Sequence, residues 1–489
     1  MSEHVLIFGN GYYIPDRLRT WARNEGHSVS SSVICDPEQM VKIDEPEKLA
    51  RIVVLPADAP LDEWVAFARL VHELQPVTRI GSFSDQGQVA AAAAGQALGL
   101  PAHSIETVRL VHDKYAMRQR LAEAGVESTA SATVRDVAEL VDFAAVHGYP
   151  CVVKPASGMA SAGVSVISEP AQAEAAFARA QGISREQGTT TPVVMTTPPP
   201  TIDNRTAATD SQATDSQATD SQATDSQATD SQATDSQATD SQATDSQATD
   251  SQAIDSPIQV IVEKFLSGVQ YSVECFSEQG EHQVVTITRK YSDPVSLVEL
   301  GHVMPAPLDP EQQEAVGAHV CRALGALGVE FGPTHTEIVL TESGPRLIET
   351  HLRFGGDSIW DLVTDATGVD LVKNQWRQMI GEKVLPGIRE TLRDPDRAPR
   401  CEAIWFAVAP PSGILVEIAG VDGPHPDGVT VKWPLPPGTQ LNGLQSSHSR
   451  LAQARAHADT AAEALALAQQ AIERLEIIVR VPSIVPEVM

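Results

Sequence analysis

The sequence predicts an α/β chain: a parallel-sheet domain at the N-terminus, a middle domain carrying a β-hairpin, and an α+β domain at the C-terminus. Three observations carry this. Residues 1 to about 105 alternate strand-like and helix-like runs, the pattern of a parallel sheet with helices on its faces. Two β-rich runs, Thr334–Thr341 and Pro345–His351, flank a hairpin signal. The last part of the chain sets short strand-like runs against a long alanine-rich segment.

In the first domain V-L-I-F (5–8), R-I-V-V-L (51–55) and T-R-I-G-S-F (78–83) read as strands. E-W-V-A-F-A-R-L-V-H-E-L (63–74) and Q-V-A-A-A-A-A-G-Q-A-L-G-L (88–100) read as helices. Gly9-Asn10-Gly11 invites a dinucleotide-loop reading, but the run reaches Ile14 without the third glycine such a loop needs.

Next, G-Y-P-C-V-V-K-P-A-S-G-M-A-S-A-G-V (148–164) is a buried-type strand that delivers Lys154 into a loop of small residues, among them Ser157, Gly158, Ser161 and Gly163. Small residues let backbone N–H groups approach phosphate oxygens, and the lysine adds a point charge. No G-K-[ST] follows, so this is not a P-loop. A flexible hairpin explains the glycines as well. A helix over Pro170–Gln181 then leads to nine tandem copies of A-T-D-S-Q at residues 208–252. A period of five matches neither helix nor strand, and the unit offers nothing large to bury. An insertion over about 185–257 is therefore expected to be disordered.

After it, Q-V-I-V-E-K-F-L-S-G-V-Q-Y-S-V-E-C-F (259–276) reads as strand, turn, strand. In the hairpin itself, a three-residue Glu342-Ser343-Gly344 loop would pair Thr341 with Pro345, and so Glu337 with Glu349. Period-two alternation puts Glu337, Glu349 and His351 on one face, with Arg353 just past the strand. Opposed carboxylates repel at a Cβ separation of about 5 Å. A cation is expected between them, and an oxygen-lined site suits Mg²⁺. The alternative is a solvated edge hairpin.

Helices are expected over 357–366 and around 369–376, then a charged linker from Arg389 to Arg400. The C-terminal unit should hold strands at 402–408 and 413–421, a long alanine-rich helix over about 451–473, and a strand at 477–481.

Composition narrows the function classes. The chain has 489 residues, 42% of them hydrophobic, and a net charge of −29. That charge argues against nucleic acid as a partner. Five scattered cysteines without a C-x-x-C pair indicate neither a disulfide framework nor zinc. No signal-peptide pattern or membrane-length apolar run is present, so a cytoplasmic protein without a membrane partner is expected.

Taken in order, H-D-K-Y-A-M-R at Lys114, the Lys154 strand and its loop, E-K-F-L at Glu263, and the hairpin ending in L-I-E-T-H-L-R-F-G-G resemble the ATP-grasp superfamily. V-E-L-G-H-V-M-P-A (Val298 to Ala306) and the E-x-x-x-R-F-G-G ending make the chain look most like the L-amino-acid ligases, which are carboxylate–amine ligases. The resemblance implies the ATP-grasp fold, with an N-terminal domain (1–105) framing the substrate pocket, an ATP-grasp domain (106–395) whose small α+β lid spans about 126–270, and a C-terminal domain (396–489). It implies that Lys114, Lys154 and the backbone of Ser157 to Gly163 hold the ATP phosphates. Glu263, Lys264 and Leu266 would line the adenine, and Gln270 stands where a glutamate usually contacts the ribose. Glu337 and Glu349 would bind Mg²⁺, with Mn²⁺ as the alternative metal. His351 replaces a frequent asparagine ligand and is a soft donor for magnesium. Glu299 and His302 would touch the amino acid, and Arg353 would stabilise the acyl phosphate and tetrahedral intermediate. The implied partners are ATP and a small amino acid or amine, and a homodimer is compatible. The implied reaction forms an amide or dipeptide with release of ADP and phosphate. A carboxylase of the biotin or purine type, and a nucleotide-binding protein without catalysis, share the same nucleotide machinery.

Overall fold

The computed structural model describes residues 3–9, 14–43, 45–157, 163–186, 259–397, 400–410, 412–432 and 435–480. The repeat, all but the first two residues of the expected disordered insertion, and Gly158 and Ser161 lie outside them.

The N-terminal domain is a four-stranded parallel sheet in the order Arg51–Val54, Val29–Cys35, Glu3–Phe8, Arg79–Ser82. Alternation along Glu3–Phe8 explains why it forms. Val5 and Ile7 pack with Leu18 and Trp21 on one face, while Leu6 and Phe8 pack with Ala68, Val71 and Ala94 on the other. A strand buried on both faces reads as a continuous apolar run. The strand Val29–Cys35 carries no such run, because V-S-S-S-V-I-C is serine-rich. Its buried Ser32 hydroxyl is paired with His4 Nε2 at 2.9 Å, whereas the buried Ser31 hydroxyl has no hydrogen-bond partner among the described residues.

The lid is an antiparallel sheet in the order Ser131–Val134, Val260–Lys264, Cys151–Pro155, Ser165–Ile167. Helices Val137–His147 and Ala173–Glu186 cover one face, burying Leu140, Phe143, Ala176 and Phe177 against Cys151, Val153, Val260 and Val262. By alternation Val152, Lys154 and Glu263 point to the opposite face.

An eight-stranded antiparallel sheet forms the centre, in the order Gly344–His351, Phe331–Thr341, Val269–Glu278, Glu281–Ser292, Glu299–Met304, Cys401–Val408, Arg450–Ala458, Val429–Lys432. Strand Glu299–Met304 pairs with Cys401–Val408, so one hydrogen-bonded sheet continues across residue 396 into the C-terminal unit. Tyr271, Val273, Ile338 and Leu347 face a core shared with helices Lys114–Glu123 and Pro310–Ala326. Helices Ile359–Thr367, Leu371–Met379 and Leu385–Leu392 close other parts of the sheet.

Three expectations are corrected. Arg450–Ala458 is a strand between two others, and the alanine-rich helix is confined to Ala461–Glu473. The alanines of the two elements, Ala454 and Ala456 against Ala464, Ala468 and Ala471, are what let helix and sheet approach closely, so tertiary packing overrides helix propensity here. Arg389 belongs to helix Leu385–Leu392 rather than to a linker, because Leu385 and Ile388 are buried on one face of that helix. The hairpin turn holds two residues, Glu342 and Ser343, pairing Thr341 with Gly344, whose φ of +102° only glycine adopts readily. All five cysteines are free, and no helix among the described residues is long and apolar enough to cross a membrane.

Candidate active site

The tight turn shifts the hairpin register by one residue from that of a three-residue loop. A β-bulge between Glu337 and Ile338 then restores it: Ile338 pairs with Leu347, Ile348 is left over, and Glu337 stands opposite Glu349. A second bulge acts on strand Glu299–Met304, where Ser292 pairs with Glu299 but Tyr291 pairs with Gly301. The skipped Leu300 brings Glu299 and His302, an odd number of residues apart, toward the same side.

These devices assemble one cavity. Lys114, Lys154, Glu263, Gln270, Glu299, Glu337 and Glu349 line it, with Lys264, Phe265 and Leu266 at the lid strand's end. Ser157 is exposed beyond the Lys154 strand, and Gly163, at φ +76°, re-enters the lid sheet. Arg353 and His302 are not part of this lining. Arg353 Nε donates to Asp85 Oδ2 at 2.8 Å, so the N-terminal domain holds it. His302 Nε2 lies 2.9 Å from Asp357 Oδ2.

Each glutamate of the facing pair has its own cation. Lys114 Nζ is 2.9 Å from Glu349 Oε2, and Lys290 Nζ is 2.5 Å from Glu337 Oε1 and 3.1 Å from Glu299 Oε1. Burial pushes the Glu337 carboxyl up, but Lys290 and His335 outweigh it and hold the group down at about 2. Burial likewise opposes ionisation of Glu349, and Lys114 and His351 carry it well below the carboxylate range. His351 places Nδ1 3.2 Å from Asp85 and Nε2 3.4 Å from Glu349. Despite burial, these carboxylates raise its basicity and so favour the protonated ring between the two acids.

On the lid side, Lys154 Nζ lies 2.7 Å from Glu263 Oε2, and Arg118 Nε donates to Glu263 Oε1 at 3.0 Å. Glu263, expected to line the adenine, lines the cavity with its carboxylate held by these two cations. Burial opposes its charge, yet Arg118 and Lys154 hold it at about 2. Burial lowers Lys154, only partly offset by Glu263, because Arg118 and Lys114 also repel its charge. Arg118 continues to Glu127 Oε1 at 3.1 Å and to the carbonyl of Ile348 at 3.2 Å.

Sequence reasoning missed Lys290 as the partner of Glu337 and Glu299, Asp85 as the partner of Arg353, and Asp357 with its own partner Arg450 beside His302. Lys290 carried a readable signal, a charge at an alternating position in T-I-T-R-K-Y-S, whereas Asp85 and Arg450 are brought in from distant segments by the fold alone.

Comparison with known proteins fits this geometry. A model of the ATP-grasp domain matches residues 224–361, one of the carbamoyl-phosphate synthase L chain ATP-binding domain matches 113–195, and L-amino acid ligase C-terminal domain 2 matches 405–480. The chain has an ATP-grasp domain with an L-amino acid ligase C-terminal domain. An uncharacterized protein y4rH of Sinorhizobium fredii (strain NBRC 101917 / NGR234) is 31% identical over 220 residues, spanning 45% of this chain and 44% of that protein, less than half of either. Among solved structures, an L-amino acid ligase from Bacillus licheniformis superposes with a TM-score of 0.72 at 18% identity, covering 98% of this chain and 99% of that one. Phosphoribosylglycinamide synthetase from Anaerococcus prevotii gives 0.60 at 15% identity, covering 98% and 100%. The biotin carboxylase domain of Hydrogenobacter thermophilus 2-oxoglutarate carboxylase, in complex with MgADP, ADP and bicarbonate, gives 0.59 at 16% identity, covering 98% and 91%. At these identities the structures establish the ATP-grasp fold, and the C-terminal match distinguishes this chain's domain composition.

Proposed function

We propose that the protein is an ATP-dependent carboxylate–amine ligase that joins an amino acid to an amine through an acyl phosphate, releasing ADP and phosphate. One observation carries this reading: lid and central sheet converge on a single cavity in which Lys114, Lys154, Glu337 and Glu349 stand beside Glu299. The L-amino acid ligase C-terminal domain supports the amine-consuming branch of the ATP-grasp enzymes.

Phosphoryl transfer needs in-line positioning and charge neutralisation more than a protein nucleophile. Lys114 and Lys154 approach the cavity from core and lid and would hold the phosphates. The amino-acid carboxylate oxygen attacks the γ-phosphorus, the bond to the β-phosphate oxygen breaks, and ADP leaves. The amine then attacks the acyl carbon, phosphate departs, and the amine loses a proton. Arg353, fixed by Asp85, would stabilise the oxygen that becomes anionic in that step. The opposed Glu337 and Glu349 offer hard carboxylate oxygens, a donor set that fits Mg²⁺ completed by phosphates and water, with Mn²⁺ as a substitute. The metal would supply charge neutralisation at the transferred phosphoryl group. His351, with both ring nitrogens facing carboxylates, is better read as a bridge than as a ligand.

The test is a phosphate-release screen over pairs of amino acids and small amines with mass detection of the product. ADP formation that rises sharply with an acceptor, together with an amide mass, is the expected result. Bicarbonate-dependent ATP hydrolysis without any amine would favour a carboxylase, and nucleotide binding without turnover on any pair would favour a non-catalytic protein.

A further inference from the structure

The C-terminal unit reaches into the ATP-grasp domain through a compact polar cluster. Arg450 Nη1 donates to Asp357 Oδ2 at 2.7 Å, and Nη2 donates to the other oxygen of the same carboxylate. Its Nε donates to the Ser447 carbonyl at 2.8 Å, and Nη1 also reaches the Glu299 carbonyl at 3.4 Å. The guanidinium lies 3.7 Å from the centroid of Phe406, against whose ring His302 packs edge-on. Ser447 Oγ donates to Glu299 Oε2 at 3.1 Å. Two C-terminal residues, Ser447 and Arg450, thus hold Glu299 and Asp357, and Asp357 in turn holds His302.

Asp357 is the accessible member. Its side chain is 21% exposed, against 10% for Arg450 and 2% for His302. It follows Gly355 and Gly356 and has φ +52°, with Ser358 at +58°, a left-handed pair of non-glycine residues that persists only where surrounding contacts hold it. The bidentate guanidinium is such a contact.

We propose that Arg450 is a positioning residue of the amino-acid subsite: it aims the Asp357 carboxylate so that the lone pair left on Oδ1 takes the ammonium group of an amino-acid substrate, with Glu299 fixed alongside. An ionised carboxylate only accepts hydrogen bonds, so the group it takes must be a donor. Burial opposes the charge on Asp357, but His302 and Arg450 outweigh it and keep the carboxyl far below its ordinary range, so an acceptor is available at neutral pH. The C-terminal domain is then part of the substrate site rather than a support beside it. This inference rests on the ligase reading above.

Arg450→Ala, Arg450→Lys and Asp357→Asn would be compared with the parent for MgATP affinity by calorimetry and for the amino-acid KM of ADP formation. Arg450→Ala should raise the amino-acid KM about tenfold or more while MgATP affinity stays within about twofold, and millimolar guanidinium should restore part of the loss. Arg450→Lys should fall between, since one ammonium cannot hold both Asp357 oxygens; if the alanine variant does not fold, this variant decides. Asp357→Asn should raise KM without guanidinium rescue. An unchanged amino-acid KM in the Arg450 variants overturns the proposal, as does an equal loss of MgATP binding, which marks a structural role only. A parent that forms ADP independently of any amino acid overturns the ligase reading and this inference together, and that failure is seen in the parent rather than in the variants.

Discussion

Arg118 Nη2 donates to the carbonyl of Ile348, the residue that the hairpin bulge leaves without a partner, at 3.2 Å. One buried guanidinium therefore ties the bulge that sets Glu337 opposite Glu349 to the Glu263 carboxylate that holds Lys154. Both halves of the cavity lean on it.

The first prediction follows from that position. Arg118→Met should destabilise the protein by about 3–5 kcal/mol, because Glu263 and Glu127 would be left as buried charges without their arginine. Urea denaturation measures this. A loss below about 1 kcal/mol would mean that the two carboxylates find other partners and that Arg118 does not hold the bulge.

The second concerns the facing glutamates. Two opposed carboxylates alone would gain stability when one is neutralised, but Lys114 already pairs with Glu349 and Lys290 with Glu337. Glu349→Gln should therefore lower the stability of the ligand-free protein by about 1–3 kcal/mol, the cost of weakening a charge-assisted bond, and should abolish phosphate release. Thermal scans with and without MgATP test both parts. A variant more stable than the parent, or one with full turnover, contradicts the assignment.

The facing pair also shows what the sequence could and could not convey. Period-two alternation placed Glu337 and Glu349 on one face, and their pairing emerged from a three-residue loop in the reading and from a two-residue turn plus a bulge in the structure. A bulge has no sequence signature of its own, so two local departures cancelled. That the two carboxylates need cations was readable from their repulsion, but that Lys114 pairs with Glu349 and Lys290 with Glu337 depends on strands and a helix far apart in the chain. Val29–Cys35 and Arg450–Ala458 were illegible for a related reason: serine and alanine carry little β signal, and only their packing partners make them strands.

A third prediction concerns pH. His103 Nδ1 is buried without a hydrogen-bond partner among the described residues, and burial lowers its pKa from 6.5 to about 4. The unfolded chain then binds more protons than the folded one between those values, so stability is full above about pH 6.5 and falls as pH drops toward 4. The span should amount to about 1–3 kcal/mol. His103→Phe should flatten this part of the pH–stability curve, measured by urea midpoints from pH 4.5 to 7.5. A parent equally stable at both ends would place His103 in a polar or hydrated setting.

A fourth tests the alanine interface of the C-terminal unit. Ala468 is fully buried between its helix and the sheet beside Ala454 and Ala456. Ala468→Leu adds volume with no space to receive it and should cost about 1–3 kcal/mol. The helix itself would lose nothing by propensity, since leucine is nearly as good a helix former as alanine. A neutral or stabilising result in urea would show that helix and sheet are not in close contact there.

The last prediction concerns the tandem repeat at residues 208–252, which lies outside the described residues. The lid's own core joins the segments on either side of it: Ala176 and Phe177 pack in one cluster with Val260 and Val262, and Val260–Lys264 is hydrogen-bonded to both Ser131–Val134 and Cys151–Pro155. None of those contacts uses an ATDSQ unit, and the unit brings only small and polar side chains with which to dock. Removing the nine copies shortens one long connection to a still long one, a change in closure entropy of less than about 1 kcal/mol. A chain without residues 208–252 should therefore melt within a few degrees of the parent and keep its ATP turnover, which a thermal scan and the phosphate-release assay read together. Retained melting with lost turnover would make the tract a working part of the lid. Lost melting would show that the lid core depends on it.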